Sequence, residues 1–186
     1  MKFLKNKNKV SFINKISGNL ILEEFVEIND GVILQNDVNE TIKIGKYSQI
    51  GPYCCLYGGN ITIGEYVMLA PHVVITTANH NYKQIELPMR FAGCIDNKNI
   101  TIGNDVWIGA NSTICCANIG NGAVIGANSF VNHDVPDFAV VAGSPAKIIK
   151  YRFSDEVRTK ILNSNWWNYN PENAKNIIAN LNIENV

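Results

Sequence analysis

Residues 100–112 read Ile-Thr-Ile-Gly-Asn-Asp-Val-Trp-Ile-Gly-Ala-Asn-Ser, and in them an aliphatic residue followed by glycine returns after six positions. The same pairing of an aliphatic with a small residue runs through the middle of the chain: Ile44-Gly45, Ile50-Gly51, Ile63-Gly64, Leu69-Ala70, Ile102-Gly103, Ile108-Gly109, Ile119-Gly120 and Ile125-Gly126. The fifth place of these hexads holds a further small or aliphatic residue, such as Ser48, Val67, Val73, Val106, Ser112, Ala123 and Ser129. A fixed period of this kind indicates a repeat fold.

Each hexad predicts a short strand and a tight turn. The leading aliphatic residue points inward, and the following Gly or Ala lets two backbones approach closely. Three hexads make one triangular coil, and stacked coils bury one another's apolar side chains. We therefore predict an all-β solenoid. An antiparallel β-sandwich is the alternative, but a sandwich has no reason to keep a constant six-residue spacing.

Composition narrows the class of protein. The chain has 186 residues and a formal net charge of zero, which argues against a broad nucleic-acid surface. No apolar stretch is long enough to span a bilayer, so we expect no stable membrane insertion. No Cys/His spacing suggests zinc. We expect free thiols, used as small apolar residues and typical of a reducing cytoplasm, at Cys54, Cys55, Cys94, Cys115 and Cys116.

The period divides the chain into three parts. Residues 1–23 form a lead-in, residues 24–150 form the solenoid domain, and residues 151–186 form a helical segment. Within the solenoid, residues 78–99 break the repeat, and a loop this long in a compact array is usually functional or disordered. Its aromatic, Pro and Met content argues against simple disorder.

Helix signals follow the last hexad. Ser154 can cap a helix that carries Asp155 and Glu156 in its first turn, and Pro171 can open a second helix. Between them lie Trp166 and Trp167, which we expect to pack the helices against the solenoid.

Several motifs resemble the hexapeptide-repeat acetyltransferases. They are Thr76-Thr77-Ala78-Asn79-His80, Ile102-Gly103-Asn104-Asp105-Val106-Trp107-Ile108-Gly109 and Val141-Ala142-Gly143-Ser144-Pro145-Ala146-Lys147. The resemblance implies a left-handed parallel β-helix of hexapeptide repeats. The loop and central block are similar to maltose, galactoside and polysaccharide O-acetyltransferases. The tail, with residues 148–156 and Asn165-Trp166-Trp167, is similar to the xenobiotic acetyltransferases that modify streptogramins and chloramphenicol.

The resemblance assigns the catalytic base to His80. An imidazole suits that role because it is partly neutral at cellular pH. His72 lies inside a hexad and reads as a surface residue, and His133 lies near the end of the solenoid, where the family commonly has a residue near coenzyme A. What orients His80 stays open between a backbone carbonyl, Glu86 and Asp96.

The resemblance also implies an acetyl-CoA site in a groove between neighbouring subunits of a homotrimer. Trp107 matches a residue beside the pantetheine arm, and the backbone N–H of Ala110 is the candidate donor to the oxyanion. Arg152 is a weaker candidate for the nucleotide end. The cofactor-binding residues predicted in this way are Trp107, Gly109, Ala110, Ala127, Ser144, Lys147 and Lys150.

The acceptor pocket is less well specified. The galactoside-type enzymes place an Asn one coil before the loop, and our alignment puts Pro52 there. An aromatic wall suits the apolar face of a pyranose or of a bulkier hydroxylated molecule. The residues available for it are Asn79, Tyr53, Tyr82, Met89 and Phe91.

These observations predict a cytoplasmic, homotrimeric O-acetyltransferase that uses acetyl-CoA and needs no metal. The acceptor is a small molecule, namely a sugar or a polysaccharide precursor, whose hydroxyl attacks the thioester directly. The alternatives are O-acetylation of an antibiotic and N-acetylation of a nucleotide-linked amino sugar. From a different class of protein, the alternatives are a non-enzymatic solenoid scaffold and a metal-dependent relative of the family.

Overall fold

The computed structural model describes residues 8–11, 14–36, 39–95 and 98–183. Over these residues the chain forms a parallel β-solenoid of about seven turns, followed by two short helices. Successive coils pair in parallel, as when Lys9 pairs with Glu27 and Glu27 with Gln49. The predicted solenoid is confirmed, and it is consistent with a left-handed β-helix of hexapeptide repeats. The antiparallel sandwich is excluded because its neighbouring strands would run in opposite directions.

Each coil contributes strands to the sides of a triangular prism. The first three coils contain β1 (Lys9–Val10), β2 (Lys15–Ser17), β3 (Asn19–Leu22), β4 (Glu27–Ile28), β5 (Ile33–Asn36), β6 (Thr41–Ile44), β7 (Gln49–Ile50), β8 (Cys55–Gly58) and β9 (Ile61–Ile63). The later coils contain β10 (Met68–Leu69), β11 (Val74–Thr76), β12 (Asn79–His80), β13 (Cys94–Ile95), β14 (Ile100–Ile102), β15 (Trp107–Ile108), β16 (Thr113–Cys115), β17 (Val124–Ile125), β18 (Phe130–Val131), β19 (Ala139–Gly143) and β20 (Ala146–Tyr151).

We name the three sides face A, face B and face C, in the order in which the chain meets them. Face A is the sheet β1-β4-β7-β10-β15-β17-β19, which ends in the antiparallel strand β20. Face B is β2-β5-β8-β11-β16-β18, and face C is β3-β6-β9-β14. Beyond β14, face C continues through single bridges from Ile102 to Ile119 and from Ile119 to Val135. The turns between faces form three edges, A–B, B–C and C–A.

The residues that open the hexads fill the interior, as predicted. None of the following is more than 3% exposed: Ile44, Ile50, Ile63, Leu69, Ile102, Ile108, Ile119 and Ile125. The serines at the fifth place are buried too, and their hydroxyls donate to backbone carbonyls. Ser48 bonds Gly64 at 2.8 Å and Ser112 bonds Gly126 at 2.9 Å. These buried hydroxyls are tolerated because each keeps an acceptor.

The small second residue of each hexad lets the coils meet at the edges. Its amide donates to a carbonyl of the next coil at 2.8–2.9 Å, in the pairs Gly45–Ile63, Gly51–Leu69, Gly64–Ile102, Ala70–Ile108, Gly103–Ile119, Gly109–Ile125, Gly120–Val135 and Gly126–Val141. At Gly109 a β-carbon would lie 2.6 Å from the backbone nitrogen of Ala127. A larger residue there would therefore push two coils apart.

Aromatic rings stack along the C–A edge and hold the end of the chain. The ring centroids of Phe25 and Tyr47 are 4.9 Å apart, those of Tyr47 and Tyr66 are 4.9 Å apart, and those of Tyr66 and Trp166 are 5.2 Å apart. Burial raises the pKa of Tyr66 to about 12. Its hydroxyl is therefore protonated at neutral pH, and it donates to the Tyr169 carbonyl at 2.7 Å.

Both predicted helices form. They are α1 (Asp155–Ser164), capped by the Ser154 hydroxyl, and α2 (Pro171–Asn180), which begins at proline as expected. Trp166 and Trp167 are buried between the helices and the C–A edge, so the packing role predicted for them is confirmed. Among the described residues, no helix is long and apolar enough to cross a membrane.

The stack of coils begins earlier than the sequence boundary at residue 24 suggests. β1, β2 and β3 pair in parallel with β4, β5 and β6, so these first three strands already form a coil. Leu20 and Leu22 of this coil pack against the core but are only partly buried. A terminal coil has one neighbour and needs fewer apolar residues. Its periodicity is correspondingly weak in the sequence.

Replacing Trp166 with alanine should loosen the C-terminal helices from the solenoid. Removing a large buried aromatic side chain typically costs about 3–5 kcal/mol, and Trp166 is 9% exposed. We expect W166A to lower the free energy of unfolding in urea by about 3 kcal/mol. The matched control is W107A, because Trp107 is 49% exposed. That variant should change the same quantity by less than about 0.5 kcal/mol. Equal losses in the two variants would contradict the packing role of Trp166.

Candidate active site

The 78–99 loop interrupts the fourth coil between faces B and C. β11 ends at Thr76 and β14 begins at Ile100. Between them, β12 and β13 form a short antiparallel hairpin in which His80 pairs with Cys94. The Asn81 amide extends the hairpin by donating to the Gly93 carbonyl at 3.0 Å. The hairpin therefore joins the first residues of the loop to residues 93–95, and the loop projects from the B–C edge.

The far end of the loop is folded and apolar. The Gln84 side chain accepts hydrogen bonds from the Glu86 and Leu87 amides, at 2.8 and 3.1 Å, and residues 89–91 form a single 3₁₀ turn. Large apolar side chains stand exposed here: Tyr82, Ile85, Leu87, Met89 and Phe91. Three of the predicted acceptor residues, Tyr82, Met89 and Phe91, are thus gathered on one projecting segment.

Neighbouring coils hold Thr76 and Thr77, the residues that lead into the loop, which we call the foot of the loop. Thr77 is fully buried, and its hydroxyl accepts a hydrogen bond from the Gly59 amide of the preceding coil at 2.6 Å. On the other side, the Cys116 amide donates to the Thr76 carbonyl at 3.0 Å. The Cys116 thiol donates to the Thr77 carbonyl at 3.2 Å. The backbone that leads into the loop is therefore held by the coil before it and the coil after it.

Cys115 contacts the residue next to His80. Its thiol donates to Oδ1 of Asn79 at 3.3 Å. The prediction that all five cysteines serve as small apolar residues misses this contact, and it is wrong for Cys94, an exposed residue of the loop. The six-residue register could have found the contact, because it pairs Cys115 with Thr76 at the start of the loop.

His80 is exposed at the B–C edge. In the part of the chain that the structure describes, no hydrogen bond joins its ring to Glu86, and Asp96 lies outside that part. The other histidines lie elsewhere. His72 is on the A–B edge, stacked on Tyr53 with ring centroids 5.2 Å apart. His133 is exposed and contacts Asn132.

The predicted cofactor-binding residues gather on face A and its A–B edge. The register across face A runs from Trp107 to Val124, from Val124 to Val140 and from Val140 to Lys150. Neighbouring strands are about 4.8 Å apart, so Trp107 and Lys150 stand roughly 14 Å apart on one outer surface. Lys147 lies in β20 and Ser144 lies in the turn before β20, and both side chains are exposed.

Two backbone amides are open on the A–B edge. Pro52 and Pro71 occupy the turn position after the hexad's small residue, and proline has no N–H. In the next two coils this position holds Ala110 and Ala127. Within the described part of the chain, the amides of these two alanines donate to no protein atom. An unpaired N–H is the group that a carbonyl or an oxyanion would accept from.

The matching position on the C–A edge is closed by side chains. The Glu65 amide donates to Asn104 Oδ1 at 2.8 Å, the Asn104 amide to Asn121 Oδ1 at 2.9 Å, and the Asn121 amide to Asp137 Oδ1 at 2.6 Å. The side chains of Asn104, Asn121 and Asp137 also line a groove of about 590 Å³ along face C. The groove contains none of the predicted site residues, and its polar lining is occupied in capping neighbouring turns.

Arg152 has a structural partner. Its guanidinium donates to Asp105 at 3.0 Å and to the Gly122 carbonyl at 2.9 Å on the C–A edge. Burial raises the pKa of Asp105, while Arg152 acts in the opposite direction. These contacts fix the chain as it leaves β20.

The predicted residues therefore fall into two groups that one copy of the chain does not bring together. His80, Asn79 and the loop lie at the B–C edge, which is opposite face A in a triangular prism. Tyr53 belongs with the other group, because it stands on the A–B edge beside His72. Among the described residues, no group of three or more His, Cys, Asp or Glu could hold a metal ion.

Comparison with known proteins agrees with this architecture. The model of the six-repeat bacterial transferase hexapeptide family matches residues 99–133. A chloramphenicol acetyltransferase of Klebsiella aerogenes is 31% identical in an alignment of 188 positions, and the match covers 84% of this chain and 90% of that protein. A putative lipopolysaccharide biosynthesis O-acetyl transferase of Escherichia coli K12 is 39% identical over 98 residues, which cover 49% of this chain and 50% of that protein.

A solved structure extends the likeness to three dimensions. The hexapeptide-repeat acetyltransferase of Vibrio cholerae, crystallised with acetyl coenzyme A, superposes with a TM-score of 0.56. It is 34% identical, and the match covers 64% of this chain and 65% of that chain. The six-residue repeat, the interrupting loop and the match to most of the Klebsiella aerogenes enzyme agree with this likeness. They show that the chain is an acyltransferase and belongs to the hexapeptide-repeat acetyltransferases.

Proposed function

We propose that this protein is an acetyl-CoA-dependent O-acetyltransferase that acts on a hydroxyl of a sugar or of a polysaccharide precursor. The observation that carries the proposal is the separation of His80 at the B–C edge from the surface formed by Trp107 and the open amides. A second copy is needed to set one beside the other. We propose a homotrimer in which each site lies in the seam between two copies.

His80 acts as general base in this proposal. Its neutral imidazole accepts the proton of the acceptor hydroxyl as the oxygen attacks the thioester carbonyl. The Ala110 amide donates to the oxyanion that develops. When the carbon–sulfur bond breaks, the imidazolium returns its proton to the departing coenzyme A thiolate. The acetyl ester and the free thiol are then the two products, and no acyl-enzyme forms.

The coenzyme lies along face A in the same proposal. Trp107 packs against the pantetheine arm, and the amide of Ala127 donates to one of its carbonyls. Gly109 keeps the coils close enough for that approach. Lys147 and Lys150 meet the phosphates at the nucleotide end, where a cation is favourable, and Ser144 adds a hydroxyl. The register of face A supports this assignment, since it aligns Trp107 with Lys150.

The acceptor lies against the loop. Asn79 beside His80 offers amide hydrogens to a hydroxyl oxygen, and Tyr82, Met89 and Phe91 supply an apolar wall. Tyr53 of the partner subunit closes the pocket from the A–B edge. A wall of this kind suits the apolar face of a pyranose. The similarity to an O-acetyl transferase of lipopolysaccharide biosynthesis supports a sugar acceptor, and we place the protein in cytoplasmic polysaccharide biosynthesis.

A second candidate function is O-acetylation of an antibiotic. It is favoured by the similarity to a chloramphenicol acetyltransferase, because that match covers most of both chains. The same base, oxyanion donor and coenzyme site serve both reactions, and the two differ in what fills the pocket beside the loop.

An acceptor screen separates these functions. The purified protein is incubated with acetyl-CoA and, in turn, p-nitrophenyl β-galactoside, chloramphenicol and a nucleotide-linked amino sugar, and acetylated products are identified by mass spectrometry. We expect O-acetylation of the galactoside, because the apolar wall fits a pyranose. Turnover of chloramphenicol alone would replace the proposal with the antibiotic function. Acetylation of the amino group alone would replace it with N-acetylation.

Replacing His80 with alanine should abolish most of the activity. General-base catalysis typically contributes about 10²–10⁴-fold, so H80A should lower kcat by at least ~10²-fold. The acetyl-CoA KM should stay unchanged, because the proposed contacts that bind the coenzyme come from face A and not from His80. The control is H133A, which removes another exposed imidazole, one that contacts Asn132, and at saturating acetyl-CoA it should leave kcat within about threefold of wild type. Near-wild-type turnover by H80A would remove His80 from the mechanism.

Mixing two impaired variants tests whether the site lies in the seam between two copies. H80A lacks the base, and W107A should bind acetyl-CoA weakly and turn over slowly when acetyl-CoA is scarce. Mixed trimers contain seams in which both His80 and Trp107 are wild type. Co-expressed H80A and W107A should therefore show more activity at low acetyl-CoA than the two pure variants added together. If the site lay within one chain, no mixture would recover activity.

A further inference from the structure

A buried thiol lies directly beneath the residues that lead to His80. Cys115 ends β16 on face B and pairs in register with Thr76, the last residue of β11. It is 5% exposed, and its sulfur is 4.0 Å from the sulfur of Cys116. The two cysteines therefore sit at the foot of the 78–99 loop, one coil beyond it.

Cys115 holds a side chain rather than the backbone. Its thiol donates to Oδ1 of Asn79 at 3.3 Å. A primary amide has one acceptor oxygen and two donor hydrogens. With the oxygen bound to a buried thiol, the N–H groups of this exposed residue remain free for a ligand. The bond thus fixes which end of the amide an acceptor molecule meets beside His80.

The backbone at the foot of the loop has its own anchors. The Thr76 carbonyl accepts from the Cys116 amide, the Thr77 carbonyl accepts from the Cys116 thiol, and the Thr77 hydroxyl accepts from the Gly59 amide. None of these bonds uses the Cys115 side chain. Loss of the Cys115 thiol should therefore free the Asn79 side chain without releasing the loop from the solenoid.

We propose that Cys115 is a positioning residue for acetyl transfer, and that its buried thiol orients Asn79 as a hydrogen-bond donor to the acceptor hydroxyl. The inference rests on the proposed placement of the acceptor beside His80. The competing explanation is that Cys115 fills space in the core, as other buried thiols do. That explanation predicts an effect on stability and no effect on Asn79.

Cys54 provides a matched control. It is a buried thiol that donates to a backbone carbonyl, that of Ala70, at 3.2 Å. Burial raises the pKa of Cys54 to about 11, so it remains a protonated donor at neutral pH. It lies on the A–B edge and contacts neither Asn79 nor the loop. C54A therefore removes the same group from a similar environment with no route to the B–C edge.

The first test needs no acceptor. Side-chain amide NMR of Asn79 is measured in the wild type, C115S, C115A and C54A. We expect a rigid amide, with an order parameter near ~0.8, in the wild type, C115S and C54A, because each keeps a donor to Oδ1. In C115A the order parameter should fall below about 0.6. An Asn79 amide that is equally rigid in all four proteins would overturn the proposal.

The second test measures the consequence for turnover with p-nitrophenyl β-galactoside and chloramphenicol as probes. It follows the loss of thioester absorbance, so that no thiol reagent contacts the cysteines. One net hydrogen bond is worth about 0.5–1.5 kcal/mol. C115A should therefore lower kcat/KM for the acceptor by about 2–10-fold, with the acetyl-CoA KM unchanged. C115S should restore the value to within about twofold, and C54A should not change it.

A double-mutant cycle shows whether the effect passes through Asn79. N79A should lose as much acceptor kcat/KM as C115A, and the double variant should lose no more than either. Additive losses would overturn the positioning role, and so would a C115A enzyme equal to wild type while H80A is inactive. An H80A enzyme of full activity would instead remove the proposed function, whatever the NMR of Asn79 shows. Thermal unfolding of each variant confirms that kinetics are measured on folded protein.

Discussion

The coils of this protein must approach closely at their edges as well as along their strands. At the A–B and C–A edges an amide of one coil donates to a carbonyl of the next at 2.8–2.9 Å, and a large side chain at that point would hold the two backbones apart. Gly109 makes the limit explicit, because its β-carbon would lie 2.6 Å from the Ala127 nitrogen. A small residue at these positions, two in each coil, is therefore a condition for stacking at the A–B and C–A edges.

Because the coils stack in register, equivalent turn residues of successive coils line up along each edge. The residue type at such a position decides whether that edge packs against other side chains or leaves backbone amides open. On the C–A edge that position holds rings that receive Trp166, and the adjacent amides are capped by Asn104, Asn121 and Asp137. On the A–B edge the adjacent position changes from proline to Ala110 and Ala127, whose amides have no protein partner among the described residues. The same scaffold thus closes one edge for stability and leaves two donors open on another.

A rigid prism also limits what one copy can do. The loop that carries His80 leaves at the B–C edge, and no rearrangement of packed coils would carry it around to face A. This is the physical reason for placing the proposed site between copies. It also explains the fastening at the foot of the loop, since an imidazole that must meet a thioester on another subunit has to be held by its own coils. Gly59 of the preceding coil and Cys116 of the following coil provide that support, through their bonds to Thr76 and Thr77.

The sequence by itself determined the solenoid, the position of the loop and both helix starts, because each depends on local spacing: a small residue every six positions, a long break in that period, and Ser154 and Pro171 at helix N-termini. It also identified Trp107 and His80 as candidates by their motifs. Only the tertiary structure decided that β1, β2 and β3 already belong to the stack, that Cys115 reaches Asn79, and that His80 and Trp107 lie on opposite sides of one copy. These are contacts between residues far apart in the chain, and they depend on how coils align in register, which no local pattern of residues specifies.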